Sequence, residues 1–142
     1  VTASDLSADA LVLAKENAIL NQVDISFVQS DVFENTSGSF DIIVSNPPYI
    51  SENDKNEVGT NVLASEPKMA LFADEEGLAI YRQIIEDADK YLTPKGKLYF
   101  EIGYKQGRDL KKLLSLHFPD KRVRVLKDQF GQDRMVVMDD EK

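Results

Sequence analysis

Phe40-Asp41-Ile42-Ile43-Val44-Ser45-Asn46-Pro47-Pro48-Tyr49 is an apolar run that ends in two prolines and an aromatic ring. The run is near-continuous, the pattern of a β-strand buried on both faces. Pro47 and Pro48 have no N–H to donate, yet both keep a carbonyl acceptor. Each also drives the residue before it toward an extended conformation, so the turn has a largely fixed shape. The strand therefore delivers an Asn amide, a bare carbonyl and an aromatic face to one point. That set suits a planar –NH2 group, with two acceptors for its two hydrogens and a ring over its flat face. The alternative is a strand followed by an ordinary proline turn. With proline at about 5% of residues, a chance Asn-Pro-Pro-Tyr in such a chain is on the order of one in a thousand or less. That rarity weighs toward the functional reading.

Upstream, Val1–Asp5 reads as a short strand ending in an acid. Ser7 is placed to cap a helix with Asp9 in its first turn. Leu11, Ala14 and Ala18 recur at helical spacing to about Leu20. Ile25–Gln29 is a second short strand, followed by Ser30-Asp31, and Asn35–Ser39 is a turn-rich loop. Downstream, no period persists from Ile50 to Asp74. Loops longer than about 12–15 residues are functional or disordered as a rule, so this one is a candidate lid or substrate loop. Leu78, Tyr81, Ile85, Ala88 and Leu92 mark an amphipathic helix stopped by Thr93-Pro94. Lys97–Gly103 alternates through Leu98, Phe100 and Ile102 as a strand. Gln106 to about Leu116 is a helix with Leu110, Leu113 and Leu114 inward. Arg122–Lys127 and Arg134–Met138 are two final strands, and the short link Asp128–Asp133 favours an antiparallel hairpin.

Strands alternating with helices imply an α/β fold with a mostly parallel sheet covered on both sides. Ligands bind such sheets at the carboxyl ends of the strands, where Asp5, Asp31, Asn46 and Glu101–Gly103 all fall. No repeat, low-complexity tract or second domain stands out, so residues 1–142 read as a single domain.

Bulk composition narrows the partners. The 142 residues are 42% hydrophobic and 30% charged, ordinary for a globular protein. No apolar stretch nears the ~18 residues of a membrane span. The first residues lack the basic-then-apolar order of a signal peptide. The net charge of −8 argues against a large non-specific nucleic-acid footprint. With no cysteine and one histidine, neither a disulfide frame nor a thiolate metal site is expected, and metal binding is improbable. The absence of cysteine fits a reducing cytoplasm.

Several residues are candidates for chemistry. Asp5 ends the first strand, where an acid accepts from ribose hydroxyls in nucleotide-binding sheets; an acid that merely starts a helix is the alternative. Asp31 suits an adenine amino group while the Val32 backbone N–H meets a ring nitrogen; capping the next turn is the competing role. Phe33 reads equally as a base-stacking ring or a core residue. Asn46 would accept from a substrate –NH2, with the Pro47 carbonyl as second acceptor and Tyr49 stacked on the amide plane. Glu66 and Glu101 are isolated carboxylates not assigned as general bases. His117 reads as a helix-end residue. Lys105, Arg108, Lys111, Lys112, Lys121, Arg122 and Arg124 form a basic cluster, by default a solvated face and otherwise a dock for an acidic partner or RNA.

These segments, taken together, have a family likeness. Ser45-Asn46-Pro47-Pro48-Tyr49-Ile50 is followed by Glu66-Pro67 with Ala70-Leu71-Phe72, then Gly77-Leu78 and Tyr81-Arg82. Glu101-Ile102-Gly103 with Gln106 comes next, and Asp128, Gly131, Asp133 and Arg134 close the set. From Val1 to about Met138 the chain resembles the catalytic domain of the HemK-like, S-adenosylmethionine-dependent methyltransferases that modify a glutamine of translation release factors. Asn-Pro-Pro-Tyr alone is shared with enzymes that methylate adenine N6 or guanine N2. The Glu-Pro segment, the Glu-Ile-Gly strand end and the Asp…Gly…Asp-Arg hairpin resemble the glutamine enzymes in particular.

The resemblance implies a Rossmann-like class I methyltransferase sheet with a C-terminal antiparallel hairpin. It implies S-adenosylmethionine as methyl donor and the glutamine amide of a Gly-Gly-Gln loop in a peptide chain release factor as acceptor. By position, Asp5 would hold the ribose and Asp31 and Val32 the adenine. Asn46, Pro47, Pro48 and Tyr49 would hold the glutamine amide, with Asn46 also near the cofactor. No membrane or direct nucleic-acid partner is expected. The family has a glycine-rich strand–turn before the acid that aligns with Asp5, and the chain starts after it, so 1–142 is expected to be a partial methyltransferase domain, poorly active alone. The missing strand lies in the family between the strands of Asp5 and Asn46, and oligomerisation through that exposed gap is one way to cover it. The rival functions are a nucleic-acid amino-methyltransferase and a non-catalytic binding fragment.

Overall fold

The computed structural model describes residues 1–47 and 77–140. The chain divides into two units, Val1–Gly38 and Ser39–Lys142. In the first, β1 (Thr2–Asp5), α1 (Ala8–Leu20) and β2 (Ser26–Gln29) form a strand–helix–strand unit with a parallel ladder. The ladder runs from Thr2 opposite Ser26 to Asp5 opposite Gln29. Helix α1 starts at Ser7 because its hydroxyl accepts the Ala10 N–H at 3.2 Å, and Asp9 in the first turn suits the positive helix end. Leu11 and Ala18 are its buried residues, on the face the spacing marks.

The second unit holds β3 (Phe40–Ser45), α2 (Ala79–Ala88), β4 (Leu92–Glu101), α3 (Gly107–His117), β5 (Arg122–Lys127) and β6 (Asp133–Asp139). Its sheet has the order β3-β4-β6-β5. β3 and β4 are parallel, whereas β6 is antiparallel to both β4 and β5. β6 lies between two strands, and Val136, Val137 and Met138 are all buried, as befits a strand covered on both faces. Leu98, Phe100 and Ile102 from β4 and its end, Tyr81 and Ile85 from α2, and Leu110 and Leu114 from α3 complete the core. The Tyr81 and Phe100 rings meet edge to face at 5.1 Å.

Two boundaries and one strand face differ from expectation. The helix expected through Leu92 ends at Ala88. The Lys90 and Tyr91 N–H groups bond back to Asp87 and Ala88, and Leu92 then joins the ladder opposite Phe40. β4 consequently begins at Leu92 rather than Lys97. Pro94 cannot donate to a ladder, and Thr93 to Gly96 fall in an irregularity between the Leu92 and Lys97 pairings. There the Thr93 hydroxyl donates to the Asp41 carboxylate at 3.0 Å. Finally, Ile42 and Val44 share one side of β3 and are 56% and 74% exposed, so β3 is not the strand buried on both faces that its apolar run suggests; among the described residues it pairs with β4 alone. No described helix is long and apolar enough to cross a membrane.

Candidate active site

The parallel pairing of β3 and β4, with Ser45 opposite Phe100, puts Asn46 and Glu101 at one end of the sheet. Asn46 is exposed and Pro47 is buried. An exposed Asn46 thus follows the strand end beside a buried proline. Pro48, Tyr49, Glu66 and the expected loop Ile50–Asp74 lie outside the described residues.

The end of β4, beside the end of β3, is braced by residues that the sequence marked only as motif positions. The buried Tyr81 hydroxyl donates to the Glu101 carbonyl. The Gln106 side chain, 6% exposed, accepts the Gly103 N–H at 3.0 Å. Ile102 donates its N–H to the Arg134 carbonyl at 2.9 Å and accepts from the Arg134 guanidinium at 3.2 Å. The Tyr81-Arg82 and Glu-Ile-Gly…Gln segments of the motif therefore have a shared physical role in fixing this strand end. Glu101 is half-buried, consistent with a bracing position rather than a general base.

The hairpin motif has an equally local explanation. The Asp128 carboxylate accepts the Phe130 N–H at 2.8 Å and the Gln132 N–H at 3.1 Å, and pairs with Arg134 at 3.3 Å. Burial pushes the Asp128 carboxyl up, but those N–H groups and the guanidinium outweigh it and hold the group below the usual carboxylate range. Gly131 sits at φ 78°, a backbone region that favours glycine. Asp133 pairs with Lys127 at 2.9 Å across the loop mouth.

In the first unit, Asp5 and Asp31 follow the carboxyl ends of two paired parallel strands. The Asp5 carboxylate accepts the Ser7 N–H through Oδ1 at 2.8 Å, which leaves Oδ2 for a further donor. Asp31 is exposed, and Val32 has φ 57°. A β-branched residue in the left-handed region is a real outlier. It is held there by Ser30, which is 3% exposed. The Ser30 hydroxyl donates to the Val32 carbonyl at 2.8 Å and accepts the Asn35 N–H at 2.9 Å. Asn35 in turn donates to the Gln29 carbonyl at 3.0 Å. The turn offers an acceptor from Asp31 beside the backbone N–H of Val32, a pair that fits the donor–acceptor edge of an adenine. The sequence showed Ser30-Asp31 after a strand but gave no signal of this brace.

The basic cluster is split. Arg122 and Arg124 both pair with Asp139, at 2.9 and 3.0 Å, and Lys121 pairs with Asp140 at 3.0 Å. Lys105, Arg108, Lys111 and Lys112 are exposed. His117 lies at the end of α3 and is exposed, its ring Nδ1 3.1 Å from the Leu113 carbonyl oxygen.

Comparison with known proteins bears on the family and the fold. Residues 1–74 match the family model of the methyltransferase small domain. The chain is 61% identical over 140 residues to the release factor glutamine methyltransferase of Streptococcus pneumoniae, covering 99% of this chain and 50% of that protein. It spans about half the length of the curated relatives it matches. Its fold is that of the ribosomal protein L11 methylase of Lactobacillus delbrueckii subsp. bulgaricus, with TM-score 0.67 and 22% identity over 100% of this chain and 58% of that one. The release factor-specific protein-(glutamine-N5) methyltransferase of Alicyclobacillus acidocaldarius gives TM-score 0.55 and 20% identity over 99% of this chain and 78% of that one. At such identities these two structures speak to fold alone, the α/β class I methyltransferase sheet with its antiparallel hairpin.

Proposed function

The chain belongs to the methyltransferase small domain family, and from that premise we propose that it is the part of a release factor glutamine methyltransferase that binds S-adenosylmethionine and clamps the acceptor amide. The observation that carries this reading is Asn46-Pro47 at the carboxyl end of β3, within a chain so similar throughout to a release factor glutamine methyltransferase. Residues 1–142 are then one partial methyltransferase domain. A release-factor substrate places the reaction in the cytoplasm.

Asp5 takes the ribose hydroxyls through its open oxygen. Asp31 and the Val32 N–H take the adenine edge. S-adenosylmethionine supplies a methyl group on a positively charged sulfur, so no strong base is needed at the acceptor. A glutamine amide is a poor nucleophile because its lone pair is delocalised. The Asn46 side-chain oxygen and the Pro47 carbonyl would accept its two hydrogens, orient the nitrogen and stabilise the positive charge that grows on it, until one of those protons is lost to water and the neutral N-methyl amide remains. Such orientation is worth up to ~7–11 kcal/mol in favourable systems. Pro48 and Tyr49, assigned from sequence, complete the clamp around the amide.

The test is Asn46→Ala in the full-length protein. Methyl transfer to the release factor should be abolished while S-adenosylhomocysteine affinity stays within about tenfold, a difference of ~1.4 kcal/mol. Unchanged turnover removes Asn46 from this role. Transfer to DNA or RNA, and none to a release factor, would favour the nucleic-acid rival instead.

A further inference from the structure

Phe130 is 78% exposed at the tip of the β5–β6 hairpin. The loop that carries it is held in one shape by the Asp128 carboxylate, the bond from the Asp128 N–H to the Gln132 carbonyl at 2.8 Å and the Lys127–Asp133 pair. At the root of the loop, Leu126 and Met135 are directly opposite and share a face. They are 37% and 38% exposed. The hairpin therefore presents an aromatic ring and an aliphatic pair on a frame that needs no ordering when a partner binds, which is where affinity is otherwise lost.

The topology puts this hairpin at the acceptor end of the sheet. Met135 pairs with Glu101 on one side of β4, and Ser45 pairs with Phe100 on the other. Two strand spacings, about 10 Å, separate β3 from β6. A glutamine with one residue on each side also spans only about 10 Å when extended. The amide clamp alone thus touches too little of a substrate to choose one protein among many that contain glutamine.

We propose that Phe130, with Leu126 and Met135, docks the folded surface of the protein substrate beside its acceptor loop, and so selects that protein. The partner's chemistry is an apolar depression that takes one aromatic ring, next to the segment that carries the glutamine. Aromatic anchors of this kind dominate protein interfaces, and the polar contacts around them contribute far less. The inference rests on the reading that the acceptor is a release factor.

The test compares the full-length wild type, Phe130→Ala and Phe130→Leu with a release factor as the varied substrate. Phe130→Ala should raise KM for the release factor about tenfold or more, the effect of losing an interface anchor. Its kcat should stay within about twofold, on the same scale of tenfold per ~1.4 kcal/mol, and S-adenosylhomocysteine affinity should not change. Phe130→Leu should recover part of the KM. An unchanged KM overturns the proposal and leaves the function standing, as does a KM change that brings an equal loss of S-adenosylhomocysteine affinity. A wild-type dimer that Phe130→Ala dissociates assigns the patch to a second copy and also overturns it. If the wild type methylates no release factor, the functional reading itself fails and the docking proposal falls with it.

Discussion

Ser30 illustrates how a single buried hydroxyl sets backbone geometry. Val32 at φ 57° carries a backbone cost of order ~1–3 kcal/mol, which persists only when the surroundings enforce it. Ser30 does so by bonding the Val32 carbonyl and the Asn35 N–H together. Ser30→Ala leaves both groups without that partner, and denaturant unfolding should report a loss of ~1–3 kcal/mol. Glycine occupies the left-handed region without a Cβ penalty. Adding Val32→Gly should therefore recover part of the loss, and strictly additive single mutants would show that Ser30 does not enforce this turn. Asp31 and Val32 were legible as candidates because an acid after a strand falls at the carboxyl end of such a sheet. The brace was not, since valine has no preference for a left-handed turn and nothing local announces one.

At the level of elements, spacing identified every described helix and strand and placed β3 and β5 to the residue, but misplaced the boundary between α2 and β4. The 78–92 pattern continues smoothly through Leu92, yet Leu92 is claimed by the ladder with Phe40, a partner far away in sequence. Helix α3 owes its position to its first residue. A Cβ on Gly107 would lie 2.9 Å from Val125 Cγ1 and 3.0 Å from Asp133 Oδ2. Gly107→Ala should thus push α3 off the β5–β6 strands and cost ~1–3 kcal/mol, although alanine is the better helix former by about 1 kcal/mol. A raised denaturant midpoint would mean that α3 packs less closely than this geometry requires. The hairpin motif, by contrast, was readable because its interactions are within a few residues of one another.

Across the whole chain the charge is −8, yet the second unit buries an acid under basic cover. Hydrogen bonding from Arg122 and the charges of Arg122 and Arg124 outweigh the burial that pushes Asp139 up, and hold its carboxyl at about 2 against a usual 3.8. A depressed carboxylate stabilises the fold above its unfolded pKa and ceases to do so as pH falls through the folded value. The stability gap between wild type and Asp139→Asn should therefore be full above about pH 4 and shrink toward about pH 2. A gap that is constant across that window, followed by circular dichroism in denaturant at each pH, would remove Asp139 from the acid response. Much of the fold followed from the chain itself. Periodicity, caps and prolines act over a few residues, so the strand–helix alternation, the hairpin, and the places of Asp5, Asp31 and Asn46 at strand ends were legible. The tertiary structure decided what depends on distant partners: the insertion of β6 between β4 and β5, the exposure of Ile42 and Val44 on β3, and the presence of Phe130 at the same end of the sheet as Asn46. Those outcomes are set by hydrogen-bond ladders and covering layers between segments remote in sequence, and no local pattern encodes which strand lies next to which.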